Sequence, residues 1–229
     1  MDKKELYEIA KDAVNDAELC SRDIPPIDLY VDQILNLMAE RLSEGSERYR
    51  DRQLTKTMIN NYSKDGLITP VKGKKYNKEQ ILQMLTVYTL KGTLSIGEIK
   101  RVLDGAYSVE GFDCRWLTEL YDKHLDIKEV NREFAIAALD GILERNGLDV
   151  ENDIDYISLI FALTSFSAHL RNIAQAMIDA KFPEPVEPEE DDKDKEKEEK
   201  KERKEEKKAD KKQKKEEKKE NKAKNKEEN

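Results

Sequence analysis

The segment 54–76 constrains the fold more than any other part of the chain. Its apolar residues Leu54, Met58 and Tyr62 recur every four positions, which predicts a short helix over 54–64 with these side chains facing inward. A glycine follows, and glycine can end a helix because it adopts positive φ without strain. An apolar pair, a proline and a lysine-rich turn closing on a tyrosine complete the segment. This order predicts a helix, a turn and a wing of two short strands.

The outward side of the predicted helix is polar and basic. Its side chains are Lys56, Thr57, Asn60, Asn61 and Lys64. An Asn amide can bind an adenine edge through two hydrogen bonds, while Lys binds guanine or phosphate. The turn that follows carries Lys72, Lys74 and Lys75, which suit phosphate contacts. We expect these eight residues to contact double-stranded DNA, although an ordinary amphipathic helix with a polar surface would have the same face.

The same residues carry a resemblance to two families. Tyr62, the GLI-x-P run that starts at Gly66, and Tyr76 are similar to the DNA-binding head of the MerR-type regulators, a winged helix-turn-helix. The words DQILNLM, LTKTMINNY and LSIGEIK resemble more closely a family of unknown function, DUF1836. The resemblance covers about residues 28–104. It implies a bacterial transcription regulator that binds specific DNA sequences as a homodimer.

Two features depart from the MerR pattern. Asn60 and Asn61 stand where an arginine is usual, and the connection 43–53 is much longer than the usual tight turn. The resemblance therefore implies the architecture more strongly than it implies individual base contacts.

Charge is distributed unevenly along the chain. The whole chain carries −8, but residues 48–78 contain nine Lys or Arg against two Asp, a local charge of +7. A basic patch on an acidic body is typical of nucleic-acid binding. Residues 48–52 alone also fit a solvated loop.

Capping signals predict an all-α, mainly helical chain in which only the wing forms strands. A first helix is expected at 3–19, and a second is capped by Asp28 and ends at Gly45. The inward side chains of this second helix are Tyr30, Ile34, Leu37 and Met38. Two further helices are expected, at 78–91 and from residue 96. Their capping pairs are Asn77 with Gln80 and Ser95 with Glu98.

Beyond the head, the pattern predicts a helical body. Helices are expected at 113–124, 127–146 and 154–181, with Asp126 and Glu129 as a capping pair and Gly147 as a stop. The last helix is apolar all round, which indicates either the central helix of a monomeric bundle or half of a dimer interface. The predicted organisation is an N-terminal helix (1–27), the winged helix-turn-helix head (28–106), the body (107–182) and a charged tail (183–229).

The predicted tail contains 18 Lys or Arg and 19 Asp or Glu, with almost no apolar side chain after Val186. Such a segment buries too little apolar surface to offset its ordering entropy, so we expect disorder or partial helix rather than a packed core. It fits either a dispensable low-complexity tail or a weak interaction arm.

Several functions find no support in the sequence. The two histidines, His124 and His169, lack a second metal-type ligand at a recognised spacing, and no phosphate-binding glycine loop or nucleophile elbow occurs. Cys20 and Cys114 are single and distant.

No run of 18 apolar residues and no signal sequence is present, so we expect a cytoplasmic protein without membrane contact. We expect no enzyme, catalytic residue, metal or cofactor; any small-molecule effector is unknown. The alternative function is a winged-helix protein-interaction module with a charged tail.

Overall fold

The computed structural model describes residues 1–49, 53–71 and 73–184. In these ranges the chain forms seven α-helices and one two-stranded sheet, which confirms the mainly helical class. The elements are α1 (Lys3–Val14), β1 (Leu29–Tyr30), α2 (Val31–Leu42), α3 (Lys56–Lys64), β2 (Lys75–Tyr76), α4 (Lys78–Leu90), α5 (Ile96–Tyr107), α6 (Cys114–Asn146) and α7 (Asp153–Lys181). Short 3₁₀ turns lie at Ser21–Asp23 and Glu47–Tyr49. The predicted tail falls outside the described residues except for its first two, and the domain boundaries at 28 and 106 stay predictions.

Local capping signals proved reliable in the middle of the chain. Asn77 caps α4 by accepting a hydrogen bond from the Gln80 backbone N–H at 2.9 Å, and the Asn77 backbone N–H donates to the Gln80 side chain at 3.0 Å. Ser95 and Glu98 form the same reciprocal pair at the start of α5. Gly147 follows α6 in the left-handed conformation, with φ of 60°. The predicted pairs and the predicted stop are confirmed.

Two helices, α1 and α6, differ in extent from the prediction. α1 stops at Val14 rather than near residue 19, and α6 runs unbroken from Cys114 to Asn146 with no cap at Asp126. One set of contacts explains both differences. The acidic segment after α1 crosses α6, where Lys128 Nζ lies 2.5 Å from a carboxylate oxygen of Asp16 and 2.6 Å from one of Glu18. These ion pairs keep the chain helical where the prediction placed a break, between residues 124 and 127.

The strand pairing also differs from the prediction. β1 precedes α2 and pairs antiparallel with β2, with Leu29 opposite Tyr76. The first arm of the predicted wing is not a strand, because Leu67 and Ile68 are both buried in the core. Consecutive strand residues point to opposite faces of a sheet, so two adjacent buried side chains do not fit a two-stranded ribbon. Asp28 therefore precedes β1 and does not cap α2.

The first hydrophobic core surrounds α4. Residues of α4 are buried on every side: Ile81, Leu82, Met84, Leu85 and Val87. The core extends from Leu19 to Tyr121 and includes Ile34 and Met38 of α2. Leu37 packs against it partly buried, whereas Tyr30 is exposed, which corrects its predicted inward position. Tyr30 turns outward because it belongs to β1, and its ring receives the Lys75 ammonium at 5.0 Å.

A second, smaller core joins α1, α6 and α7. It consists of Leu6, Leu139, Leu143, Val150 and Leu159. α7 then leaves α6 and docks its C-terminal end on α5, where Arg101 pairs with Asp179 at 2.7 Å. The ring of Phe182 lies so close to Gly105 that a Cβ there would be 2.2 Å from a ring carbon. In α7 only Leu159 and Ile178 are buried, so the first of the two alternatives, the central helix of a bundle, does not fit α7, whereas α4 is buried on every side.

Candidate nucleic-acid interface

α3 is held rigidly by its two ends and by its inward side. Thr55 Oγ1 accepts a hydrogen bond from the Met58 backbone N–H at 3.2 Å, which caps the helix start. Gly66 has φ of 72° and ends the helix. Lys100 Nζ of α5 donates to the Asp65 carbonyl at 3.0 Å, which ties the helix end to the body of the head. The predicted helix end and the role of the glycine are confirmed, whereas the helix starts at Lys56, two residues later than predicted.

The inward side of α3 is centred one residue away from the prediction. Leu54 and Tyr62 are buried as expected, but Ile59 is fully buried while Met58 is only partly covered. Ile59 and Tyr62 are three residues apart and share one side of α3, and Leu54 joins the same core from just before the helix.

The five predicted contact residues on the opposite side of α3 are all exposed. They are Lys56, Thr57, Asn60, Asn61 and Lys64. Lys56 differs from the rest because its Nζ lies 2.6 Å from a carboxylate oxygen of Asp32 on α2. Both side chains are more than half exposed, so the pair is a weak one that a phosphate can displace. The structure thus places the five predicted residues on one exposed side of α3 and pairs one of them, Lys56, with α2.

The predicted lysine turn is a tight loop around Gly73, which has φ of 96°. Lys74 and Lys75 are exposed. Lys75 also lies over the Tyr30 ring, so its ammonium is positioned by β1. Lys72 lies outside the described residues.

Two buried glutamines on α4 position the segment between α3 and the turn, and the sequence reading missed this role. Gln80 Nε2 donates to the carbonyls of Thr69 and Pro70 at 3.1 and 3.2 Å. Gln83 Oε1 accepts from the Thr69 backbone N–H at 2.8 Å. These bonds replace the strand pairing that this segment lacks. The available signal was two Gln residues in the otherwise apolar run QILQML.

The long connection after α2 is anchored to α1. The Ser46 backbone N–H donates to the Asn15 carbonyl at 2.8 Å, and Ser46 Oγ donates to an Asp12 carboxylate oxygen at 2.8 Å. The Tyr49 hydroxyl donates to the Ala13 carbonyl. The extra length relative to a tight turn therefore serves to join the head to the N-terminal helix. Residues 50–52, with Arg50 and Arg52 of the predicted basic patch, lie outside the described residues.

A half-buried lysine lies directly beneath α3. Lys91 Nζ is 3.5 Å from Met58 Sδ and 4.9 Å from the centre of the Tyr88 ring. Burial lowers the pKa of Lys91 from its usual value. Burial, with a smaller contribution from Tyr88, raises the pKa of Tyr62 to about 12. The Tyr62 hydroxyl has no hydrogen-bond partner among the described residues.

In the described ranges, no group of three or more His, Cys, Asp or Glu is arranged to hold a metal ion. One helix, α7, is long and apolar enough to cross a membrane by length and composition alone, with mean hydropathy 1.2 in its best window. Only 6% of that window is buried in the structure. The absence of a continuous run of 18 apolar residues is therefore not sufficient to exclude a membrane span from the sequence.

The comparison with protein families gives one match. Residues 19–124 match the family model described as a domain of unknown function, DUF1836. This range coincides with the first core, which begins at Leu19 and includes Tyr121, with Leu125 packed at its edge. The match supports the assignment of this part of the chain to that family. Neither the curated proteins nor the solved structures give a match to the chain.

Proposed function

We propose that the chain is a sequence-specific DNA-binding protein that regulates transcription, with a MerR-like winged helix-turn-helix head. In this proposal α3 enters the major groove, and the turn around Gly73 contacts the backbone next to it. The observation that carries the proposal is the outward side of α3. It presents two amides, a hydroxyl and two ammonium groups, and no apolar side chain, on a helix whose other side is buried.

The arrangement of the surrounding elements supports the same function. β1 pairs with β2, so the lysine turn is fixed beside the start of α2. The Asn60 and Asn61 side chains make no hydrogen bond to another described residue, which leaves both amides available for base edges. Recognition of bases requires side chains that are free to form hydrogen bonds and that project from a well-held helix, because phosphate contacts alone carry no sequence information.

The first test selects bound fragments from random duplex DNA and then compares affinities for the selected and a scrambled duplex. Asn60→Ala and Asn61→Ala should each remove about 1–3 kcal/mol of discrimination where a bidentate contact exists. Asn172→Ala, an exposed asparagine on α7, is the matched control and should behave as wild type. Equal affinity of the wild-type protein for both duplexes would contradict the proposal.

A second test concerns the lysine turn. Replacing Lys72, Lys74 and Lys75 by Ala should weaken binding to every duplex nearly uniformly, because a flexible ammonium binds phosphates without reading bases. The slope of log affinity against log salt should fall by about 0.9 per lost contact, hence by at most ~2.7. Replacing Lys3, Lys4 and Lys11 of α1 removes the same charge elsewhere and should leave the slope unchanged. A loss confined to one duplex would mean that the turn reads sequence.

The second candidate function is a protein-interaction module. It is favoured by Ile27, which is 64% exposed two residues before β1, and by Tyr30 of β1, which is 48% exposed. In that case Ile27→Ser should weaken partner binding and leave DNA affinity unchanged. Absence of salt-dependent DNA binding, measured from low to physiological salt, would favour this candidate over the first.

A further inference from the structure

A cavity of about 670 Å³ lies beneath α3. Its lining residues come from α2, from α3, from the end of α4, from α6 and from the segments that follow α1 and α2. The volume is in the range of small-molecule sites, about 300–1,000 Å³. α3 contributes Met58, which packs against the first core rather than joining the exposed side of the helix. We call this space the α3 cavity.

One cation in the α3 cavity has no anionic partner. Lys91 Nζ contacts Met58 Sδ at 3.5 Å and lies over the rings of Tyr88 and Tyr62, at 4.9 and 6.0 Å from their centres. None of the three neighbours supplies a carboxylate, and no carboxylate of the described residues pairs with Lys91. Lys91 is also the C-cap of α4, and a helix end attracts a cation, but this partial charge does not replace a counter-ion.

The other lysine of the cavity is fully compensated. Lys128 Nζ lies 2.5 Å from a carboxylate oxygen of Asp16 and 2.6 Å from one of Glu18. Thr89 Oγ1 donates to the same Glu18 oxygen at 3.2 Å, and Arg132 also pairs with Asp16. The two carboxylates that line the cavity are therefore already engaged by other cations. Lys91 is left as the ammonium that an anion entering the cavity can neutralise.

Part of the lining is apolar. It includes Ala17, Leu42, Met58 and the ring of Tyr88. A thioether and an aromatic ring suit a flat apolar group, because sulfur–aromatic and ring–ring contacts are both favourable. The thioether of Met58 is also flexible, so it can adapt to the shape of a ligand.

We propose that the α3 cavity binds a small organic monoanion, a carboxylate carried on an aromatic body. The carboxylate pairs with Lys91, and the aromatic body lies against Met58 and Tyr88. A second negative charge on the ligand would face Asp16 and Glu18, which disfavours dianions such as phosphate esters. Purely polar anions would leave the apolar lining uncovered.

The proposed site does not depend on DNA binding. A ligand in the cavity contacts α3 through Met58 and touches none of the five exposed residues on the outward side of that helix. The test therefore uses the full chain without DNA, and its result is separate from that of the duplex experiments.

The test is nuclear magnetic resonance of the methionine methyl groups, of which the chain has five. Met58 reports on the cavity, Met84 is fully buried in the first core, and Met177 is 67% exposed on α7. The probes are indole-3-acetate and 3-phenylpropionate, each compared with its neutral primary amide. Both acids should shift the Met58 signal saturably, with dissociation constants of about 1 mM or lower. The amides should bind at least about 10-fold more weakly, because they cannot form a charged pair with Lys91.

Two matched variants assign the charge to one lysine. Lys91→Gln should weaken the binding of both acids at least about 10-fold and remove the preference over the amides. Lys91→Arg keeps the positive charge and should retain the preference. Lys123→Gln is the control, because Lys123 is an exposed lysine next to His124 on α6 that does not line the cavity. An unchanged Met84 signal shows that each variant is folded, and the comparison of acid and amide on the wild type needs no variant.

Three outcomes would overturn the proposal. The first is a Met58 signal that neither acid shifts up to about 10 mM, ten-fold above the weakest affinity expected. The second is equal binding of acid and amide, or a Met177 shift as large as that of Met58, either of which would indicate unspecific apolar binding. The third is a loss in Lys123→Gln as large as that in Lys91→Gln, which would reduce the effect to overall charge.

Discussion

α4 and α7 are both rich in apolar side chains, yet they occupy opposite environments. α4 has 13 residues, and seven of them are buried, including two glutamines. α7 has 29 residues and only two that are buried. The difference arises because α4 is surrounded by α2, α3, α5 and α6, whereas α7 contacts its own protomer at its two ends. Apolar composition therefore indicates that a helix will be covered, but only the tertiary contacts determine whether the cover is the same chain.

The largest expected effect tests this difference directly. Leu82→Ala in α4 should lower the free energy of unfolding by about 2–5 kcal/mol, because it removes a fully buried side chain. Leu170→Ala in α7 removes the same atoms from an exposed position and should change it by less than about 0.5 kcal/mol. Both are measured by urea denaturation. A large loss for Leu170→Ala would show that α7 is covered within the chain.

The comparison also shows which parts of the fold were predictable. The caps at Asn77 and Ser95 and the stop at Gly147 are local, since each depends on residues three or four positions apart. The outward side of the segment over 54–64 was predicted from spacing for the same reason, although its inward side is centred on Ile59 rather than on Met58.

The errors concern contacts between residues far apart in the chain. Nothing near Asp126 indicates that Lys128 will pair with Asp16, and this pairing keeps α6 continuous. Nothing near Leu29 indicates that it will lie opposite Tyr76. In the candidate interface, the exposed face of α3 was predictable residue by residue. The Asp32 partner of Lys56 and the glutamines that hold Thr69 were not, because they come from other helices.

A smaller effect concerns tyrosines at the edge of the α4 core. The Tyr121 hydroxyl donates to the Leu19 carbonyl at 2.9 Å. Tyr121→Phe should therefore cost about 1–1.5 kcal/mol at pH 7, because it leaves a buried carbonyl without its donor. Tyr62→Phe should cost nothing measurable, since the Tyr62 hydroxyl has no partner among the described residues. A loss of more than about 1 kcal/mol for Tyr62→Phe would mean that a partner exists.

The same tyrosines predict the response to alkali. Burial raises the pKa of Tyr62 and Tyr107 to about 12, and that of Tyr121 in the same direction. Because the pKa is higher in the folded state, the contribution of the protonated tyrosines to folding stability is fully present below the unfolded pKa near 10. This contribution is lost as the pH rises toward 12. Unfolding should therefore become easier between pH 10 and 12, and tyrosinate absorbance should rise with it. Tyr62→Phe should reduce this loss.

The smallest expected effect compares Gly105 of α5, which lies against the Phe182 ring, with Gly141 of α6, where a Cβ would meet no atom within 4 Å. Gly105→Ala places a methyl group against the Phe182 ring, where α7 docks on α5. Overpacking of about 1–2 kcal/mol outweighs a helix-propensity gain of about 1 kcal/mol, so a net loss of roughly 0.5 kcal/mol is expected. Gly141→Ala places the same group in open space beside Phe166, and only the gain of up to about 1 kcal/mol remains. Thermal unfolding of the two variants should show changes in stability of opposite sign. If both variants gain stability, the Phe182 ring moves aside freely, and the docking of α7 on α5 rests on other contacts, such as Arg101 with Asp179 and Gln175 with Glu98.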